Sequence, residues 1–173
     1  IRLSLVGSEM CIRDRNRDAP ELTHDAMGRM YLRMVEVAAP QLVTALNVIA
    51  HTPGTAAFHC AAGRDRTGVV AAMLLLALGA ADDDIVADYA LTGGNMVAIM
   101  QRTAPVMGAM WKALGFDAGA AGASAALLEG SMEVSMRTLL DTLREQHGDA
   151  LAPLRAAGLS DATITRLRER ALV

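Results

Sequence analysis

The fold is decided by residues 59–68, HCAAGRDRTG, together with the apolar segments on either side of them. The short run 55–58, TAAF, precedes this stretch, and the longer run 69–76, VVAAMLLL, follows it. This order predicts a strand, a tight loop that begins with a thiol, and a buried helix that begins where the loop ends. Such a loop directs several backbone N–H groups at one point, with the positive end of the helix dipole behind them. We therefore predict an anion site here, and phosphate is the favoured anion.

Two side chains in the loop give this anion site a chemistry. Cys60 lies at the bottom of the predicted cradle, where the same donors stabilise a thiolate and ease the loss of the thiol proton. Arg66 is placed to hold two phosphate oxygens with its planar guanidinium. The sequence therefore predicts a nucleophile and an anion site within one loop.

The same residues carry a family resemblance. His-Cys, five residues and then Arg-Thr-Gly is similar to the signature of cysteine-dependent protein tyrosine phosphatases. The full string resembles the branch of bacterial tyrosine and dual-specificity phosphatases whose loop usually reads HCxAGKDRTG. Arg64 stands where that branch usually has Lys, which keeps the charge and bears on substrate preference more than on chemistry. The resemblance covers the chain from about Tyr31 onward and is specific mainly in the loop.

The resemblance implies a two-step hydrolysis of a phosphomonoester that needs no metal and no organic cofactor. In it, Cys60 attacks phosphorus to form a phosphocysteine, and Arg66 holds the transferring group. His59 would help to set the acidity of the cysteine and hold the loop, and Thr67 would hydrogen-bond the departing sulfur in the second step. The backbone that would surround the phosphate oxygens comprises Ala61, Ala62, Gly63, Arg64, Asp65 and Arg66.

Asp65 has two competing interpretations. It is the candidate general acid for the leaving oxygen, because it lies in the loop directly before Arg66, as in the resembling branch and in myotubularin lipid phosphatases. No convincing Trp-Pro-Asp string offers another acid in this chain, although a missing N-terminal part could hold one. Equally, Asp65 could pair with Arg64 or Arg66 and only shape the loop.

The fold that the resemblance implies is α/β, a protein tyrosine phosphatase-like domain in which helices wrap a mainly parallel sheet. Periodicity alone predicts a mostly helical chain with one confident strand, 55–58, before the loop. A connector rich in Gly and Ala is predicted at 115–124. The predicted helices cover about 21–37, 40–50, 67–79, 82–91, 95–114 with a kink at Pro105, 132–148, 151–157 and 161–172.

Composition bounds the function classes. The chain has 173 residues, 53% of them hydrophobic, which suits one domain with a sizeable core. A net charge of -3 without a basic cluster gives no support for nucleic-acid binding. The longest apolar run, 69–80, is too short to cross a bilayer, so no integral membrane segment is predicted. The acidic run 82–84 is interpreted as complementing a helix dipole rather than binding a metal.

Residues 4–15, SLVGSEMCIRDR, resemble a translated sequencing-adapter sequence, although an ordinary strand over 1–6 is the alternative. We therefore predict that residues 1–15 are not native and that 16–173 form the C-terminal portion of an N-terminally truncated phosphatase domain. Cys60 is then the single native cysteine, which suits a reducing, cytoplasmic compartment. Secretion stays open, because a signal peptide would have been lost with the true N-terminus.

Several functions and substrates stay open at this point. The favoured function is a protein tyrosine or dual-specificity phosphatase that acts on a phosphorylated protein. A phosphoinositide phosphatase is the first alternative, since the charge of Arg64 could meet additional phosphates on an inositol ring. An inactive phosphate-binding pseudophosphatase or a truncated fragment is the second. The sequence ranks neither the substrates nor the oligomeric states.

Overall fold

The structure is a computed structural model that describes residues 23–113 and 131–171. Throughout these ranges the regular structure is helical. A 3-10 helix at Leu91–Asn95 joins two of the helices. The α-helices are α1 (His24–Val37), α2 (Ala39–His51), α3 (Asp65–Leu78), α4 (Asp82–Ala90), α5 (Met96–Ala113), α6 (Glu133–His147), α7 (Ala152–Ala156) and α8 (Asp161–Ala171).

The prediction of an α/β fold with one confident strand is wrong. Residues 55–60 carry no helix and run directly into the loop, but no strand or sheet occurs within 23–113 or 131–171. The predicted strand is also largely uncovered, and Phe58 is 37% exposed. A strand exists through hydrogen bonds to a neighbouring strand, and an apolar run in the sequence does not show whether that neighbour is present.

The helices occur where the sequence pattern places them, with shifts of a few residues at their ends. Ser160 caps α8 as predicted, since its hydroxyl accepts a hydrogen bond of 3.1 Å from the Thr163 N–H. Gly79 ends α3 with a φ of 93°, a conformation that favours glycine. Pro105 lies inside α5. The predictions for residues 1–15 and for the connector 115–124 fall outside the described residues.

The loop is anchored on the central helix of the described fold. α3 contacts α1, α2, α4 and α8, while α1 and α6 form the most extensive helix pair. Because the loop residues 61–64 lead directly into α3, the core of the protein positions them. The largest fully buried side chains include Tyr31, Leu46, Met73, Ile85, Met136, Leu139, Leu140, Leu143 and Leu154.

Ion pairs bind the start of α4 to α6. The guanidinium of Arg144 donates two hydrogen bonds of 2.6 Å to Asp82, and Arg137 donates one of 2.6 Å to Asp83. The hydrogen bonds from Arg144 lower the pKa of Asp82. The first two carboxylates of the run 82–84 therefore have arginine partners, in addition to their place at a helix N-terminus.

No single described helix is both long enough and apolar enough to cross a membrane. α1 and α2 meet that test only when they are taken together, and they are bent by 79° at the break between them.

Gly28 allows α1 to approach α6 closely, and Gly28→Ala is expected to destabilise the protein. A Cβ at this position would lie 2.5 Å from Cβ of Thr138 and 2.7 Å from the carbonyl oxygen of Ser135. Because a backbone atom cannot move aside cheaply, we expect the free energy of unfolding to fall by about 1–3 kcal/mol. Thermal denaturation followed by circular dichroism measures the change.

Gly108→Ala is the matched control, since Gly108 is also helical and, in the described part of the chain, no atom outside its own helical backbone lies within 4 Å of its added Cβ. Alanine favours a helix over glycine by about 0.8–1 kcal/mol, so this variant should be as stable as the parent or more so. Equal melting temperatures for the two variants would show that the contact between α1 and α6 is looser than described.

Candidate active site

The loop that follows residues 55–60 is shaped for close backbone approach. Gly63 has a φ of 70°, which lies in the left-handed region, and an added Cβ would meet no atom of the described residues within 4 Å beyond its chain neighbours. Glycine is therefore favoured here by its conformation and not by space. α3 begins two residues later, and the Gly68 N–H donates a hydrogen bond of 2.8 Å to the carbonyl oxygen of Arg64. The loop thus passes directly into the first turn of a helix.

The thiol of Cys60 lies among hydrogen-bond donors from this loop. Its partial burial acts to raise its pKa, but the Thr67 hydroxyl and three backbone N–H groups outweigh burial, and the pKa lies below its ordinary value. The backbone donors belong to Thr67, Gly63 and Ala62. Donors from both the loop and the first turn of α3 therefore stabilise the thiolate, as the sequence predicts for an anion cradle.

Thr67 lies on the inner side of this cradle. Its hydroxyl oxygen is buried, and no described residue meets it with well-aligned hydrogen-bond geometry. It is nevertheless close enough to Cys60 to lower the pKa of the thiol. The hydroxyl is therefore available to the sulfur and is not committed to another part of the fold.

Arg66 and His59 differ in their surroundings. Arg66 lies in the first turn of α3 and is partly buried, and within the described ranges its side chain makes no hydrogen bond or ion pair. His59 is exposed, and its Nδ1 lies 3.2 Å from the carbonyl oxygen of Cys60. The guanidinium thus has its donors available for an anion, whereas the imidazole contacts the backbone of the loop.

Arg64 does not extend from the rim of the loop into solvent. Its side chain is only 4% exposed, and its Nε lies 3.4 Å from the hydroxyl oxygen of Tyr89 and 3.7 Å from Oδ1 of Asp65. Its Nη2 is buried and has no partner in the described part of the chain. The guanidinium that replaces the usual Lys of the HCxAGKDRTG string is therefore held inside the protein.

Asp65 is hydrogen-bonded by Tyr31, a residue that the sequence does not identify as part of the site. Tyr31 of α1 donates a hydrogen bond of 2.5 Å to Oδ1 of Asp65, and its oxygen lies 2.8 Å from the hydroxyl oxygen of Tyr89. The two tyrosine rings are arranged edge to face, with their centroids 6.1 Å apart. Tyr31 reads in the sequence as one apolar position of an amphipathic helix, so no sequence signal marks its hydroxyl as part of the site.

Gly68 makes room for this arrangement. A Cβ at Gly68 would lie 2.8 Å from Cε2 of Tyr89, so the ring packs directly on the first turn of α3. In the sequence Gly68 is part of the loop signature, and in the structure it also allows the close contact with Tyr89 of α4.

Among the described residues, no three His, Cys, Asp or Glu side chains are grouped as metal ligands would be.

The candidate site thus combines a thiol of lowered pKa, backbone N–H donors around that thiol, and an arginine with no partner among the described residues. Comparison with known proteins identifies the family. The chain matches the tyrosine phosphatase family over residues 5–173 and belongs to it. The match begins within the segment 1–15 that the sequence predicts to be non-native.

Two curated relatives are similar to parts of the chain. A tyrosine-protein phosphatase of Nostoc commune is 33% identical over 93 residues, which cover 53% of this chain and 30% of the relative. The triple specificity protein phosphatase PtpB of Mycobacterium tuberculosis is 33% identical over 113 residues, or 64% of this chain and 41% of the relative. The chain therefore spans less than half the length of these two relatives.

Proposed function

We propose that this chain carries the catalytic loop of a protein tyrosine or dual-specificity phosphatase that works through a phosphocysteine intermediate. The observation that carries the proposal is the environment of Cys60. Its pKa is lowered, against the effect of burial, by the Thr67 hydroxyl and by backbone donors of the loop and of the first turn of α3. Membership of the tyrosine phosphatase family and the names of the two relatives support the substrate class.

In the first step the Cys60 thiolate attacks phosphorus. An S–P bond forms, the bond between phosphorus and the leaving oxygen breaks, and a general acid gives that oxygen its proton. Arg66 and the backbone N–H groups from Ala61 to Arg66 hold the remaining phosphate oxygens as charge moves onto them.

In the second step water attacks the phosphocysteine. Its oxygen bonds to phosphorus, one of its protons goes to the base that served as acid, the S–P bond breaks, and inorganic phosphate leaves. The Thr67 hydroxyl stabilises the thiolate that returns, because it is buried beside the sulfur and uncommitted elsewhere among the described residues.

We propose Asp65 as the general acid and base of these steps. Its side chain is 32% exposed, which leaves the carboxyl accessible beside the loop. Only Oδ1 has partners among the described residues, so Oδ2 is available to carry a proton to the leaving oxygen. The contacts with Tyr31 and Arg64 also support the structural interpretation, and the two roles are compatible because they use different oxygens.

The burial of Arg64 weakens the case for a phosphoinositide phosphatase. That alternative rests on a cation that meets additional phosphates, whereas this guanidinium is 4% exposed and lies against Tyr89. A second phosphate would have to displace these contacts. We therefore favour phosphoproteins over phosphoinositides as substrates.

We also propose a reducing, cytoplasmic location, because such a compartment keeps a thiolate nucleophile reduced.

Phosphate release by the full chain tests the proposal. The substrates are p-nitrophenyl phosphate, a phosphotyrosine peptide, a phosphoserine peptide and a phosphoinositide in short-chain form. We expect release from the phosphotyrosine peptide and a phosphoryl group on Cys60 in acid-quenched samples examined by mass spectrometry. Release without a phosphorylated Cys60 would contradict the mechanism, and no release from any substrate would favour the phosphate-binding or truncated-fragment alternative.

Alkylation of Cys60 tests the state of the thiol independently of turnover. Because the pKa is lowered, the thiolate should persist below the pH at which a free cysteine protonates, so at neutral pH iodoacetamide should react faster with Cys60 than with a free cysteine. Against pH, the rate should have its midpoint below the ordinary value of about 8.5. Peptide mapping separates Cys60 from Cys11, and the urea-denatured chain is the control, in which the midpoint should return to the ordinary value. An unshifted midpoint in the folded chain would rule out an activated thiol.

A further inference from the structure

We infer that Tyr31 and Tyr89 are positioning residues for the proposed reaction, in which their hydroxyls hold Asp65 by Oδ1 and so assign the transferable proton to Oδ2. This inference rests on the proposed function. It follows from the direction of a chain of hydrogen bonds that runs from Arg64 through both tyrosines to Asp65.

The two end residues, Arg64 and Asp65, determine the direction of this hydrogen-bond chain. The guanidinium Nε of Arg64 can only donate, so the Tyr89 oxygen accepts from it across 3.4 Å. At the other end the Tyr31 hydroxyl donates to Oδ1 of Asp65 across 2.5 Å. Tyr31 has a single hydroxyl proton, so in the 2.8 Å contact between the tyrosines it is Tyr89 that donates. Each of the two hydroxyl protons is thus assigned to one hydrogen bond: that of Tyr89 points to Tyr31, and that of Tyr31 points to Asp65.

Tyr31 is suited to remain the donor at the end of this chain. Its side chain is completely buried. Burial raises the pKa of its hydroxyl far above the ordinary value, and the charge of Asp65 and the neighbouring Tyr89 raise it further. The hydroxyl therefore stays protonated and keeps a proton to donate to Oδ1 of Asp65.

Because Oδ1 already accepts from that donor, we assign a proton on Asp65 to Oδ2. Oδ1 accepts from Tyr31 and lies 3.7 Å from Nε of Arg64, whereas no described residue makes a hydrogen bond or an ion pair with Oδ2. A carboxyl anchored by one oxygen keeps a fixed orientation for the other, which proton transfer requires because donor and acceptor must meet within hydrogen-bond distance. The tyrosines thus act on the reaction through Asp65 and do not touch the phosphate themselves.

The side chains of this hydrogen-bond chain are closely packed. Gly68 has no side chain where a Cβ would meet the Tyr89 ring at 2.8 Å, and Gly28 allows the approach of α1 to α6. The ring of Tyr89 is fixed in turn by the edge-to-face contact with Tyr31. Both hydroxyls therefore belong to packed helices, and through them α1 and α4 orient Asp65 and Arg64 of the loop.

Tyr31→Phe tests the inference, because it removes the donor and keeps the ring. A misplaced acid matters most when the leaving oxygen is strongly basic, so kcat for phenyl phosphate should fall about 10- to 100-fold, which is less than the loss of about 10²- to 10⁴-fold for removing a general acid altogether. For p-nitrophenyl phosphate, whose leaving group departs unaided, kcat should change by less than about threefold. The KM values should stay near those of the parent chain. Tyr89→Phe should show the same pattern with a smaller loss, because Tyr31 can still donate.

A double substitution links the effect to Asp65. Asp65→Asn keeps an acceptor at Oδ1 and removes the acid, so Tyr31→Phe should cost little further activity in that background. Leu154→Val is the control for a general loss of packing, since Leu154 is fully buried in α7 and belongs to no part of the loop. That variant should leave the ratio of the two ester rates unchanged.

The outcomes separate the inference from the proposed function. If Tyr31→Phe slows both esters by the same factor, or if its effect persists in full with Asp65→Asn, the tyrosine is structural and the inference is overturned while the phosphatase remains. If the parent chain hydrolyses no ester, the proposed function fails and the catalytic role of the tyrosines fails with it. Unfolding of Tyr31→Phe, Asp65→Ala and the double variant then still tests the contact, which predicts that the two effects on stability are not additive.

Discussion

Cys60→Ser is expected to reduce phosphate release by a factor on the order of 10⁴ or more, the scale seen when a nucleophile is removed from a hydrolase. A serine hydroxyl is far less acidic than a thiol, so the donors that stabilise a thiolate here cannot ionise it at neutral pH. The surroundings should persist, because the N–H groups of Ala62, Gly63 and Thr67 belong to the backbone. Steady-state hydrolysis of p-nitrophenyl phosphate measures the loss.

Binding of inorganic phosphate distinguishes a lost nucleophile from a lost fold. The Kd of Cys60→Ser for phosphate, measured by calorimetry, should stay within a few-fold of the parent value. Cys11→Ser is the matched control, since it makes the same chemical change in the segment 1–15 that the sequence predicts to be non-native, and it should retain full activity. Substantial turnover by Cys60→Ser would show that another group attacks phosphorus.

Arg66→Lys is expected to lower kcat/KM about 10²- to 10³-fold, which is the scale for removing one oxyanion donor. The substitution keeps the positive charge and removes the planar fork that holds two phosphate oxygens at once. Arg66 is suited to that role because it lies in the first turn of α3 and has no hydrogen bond or ion pair within the described part of the chain. The same esters and the same phosphate titration measure the effect.

Arg33→Lys provides the comparison, since Arg33 is an exposed residue of α1. It should change neither activity nor phosphate affinity. If Arg66→Lys were as active as Arg33→Lys, the guanidinium would serve only as a charge near the site, and the bidentate grip would be excluded.

The helices could be predicted from local signals, because the groups that define them lie close together in sequence. Ser160 caps α8 through an N–H three residues away, and Gly79 ends α3 through its own backbone conformation. The strand at 55–58 could not be predicted reliably by the same means. A four-residue segment such as TAAF can indicate extended backbone, but a strand needs a partner from elsewhere in the chain, and the described residues supply none.

Arg64 shows how the same limit applies inside the site. The sequence places a cation in the loop and leaves open whether it faces solvent or pairs with a carboxylate. Its burial against Tyr89 depends on the packing of α4 over the first turn of α3, which Gly68 permits and which the ion pairs between α4 and α6 support. Those contacts join segments that no pattern in the sequence relates.

The sequence by itself determined the loop and the position of the cysteine that we propose as its nucleophile. The donors that lower the pKa of Cys60 come from Ala62, Gly63 and Thr67. Because these residues lie close to Cys60 in the sequence, the local sequence of the loop is enough to predict such contacts. Only the tertiary structure decided how Asp65 and Arg64 are held. Tyr31 lies 34 residues before Asp65, and Tyr89 lies 25 residues after Arg64. These hydroxyls reach the loop because burial of apolar surface brings α1 and α4 against α3, and that assembly is a property of the whole core.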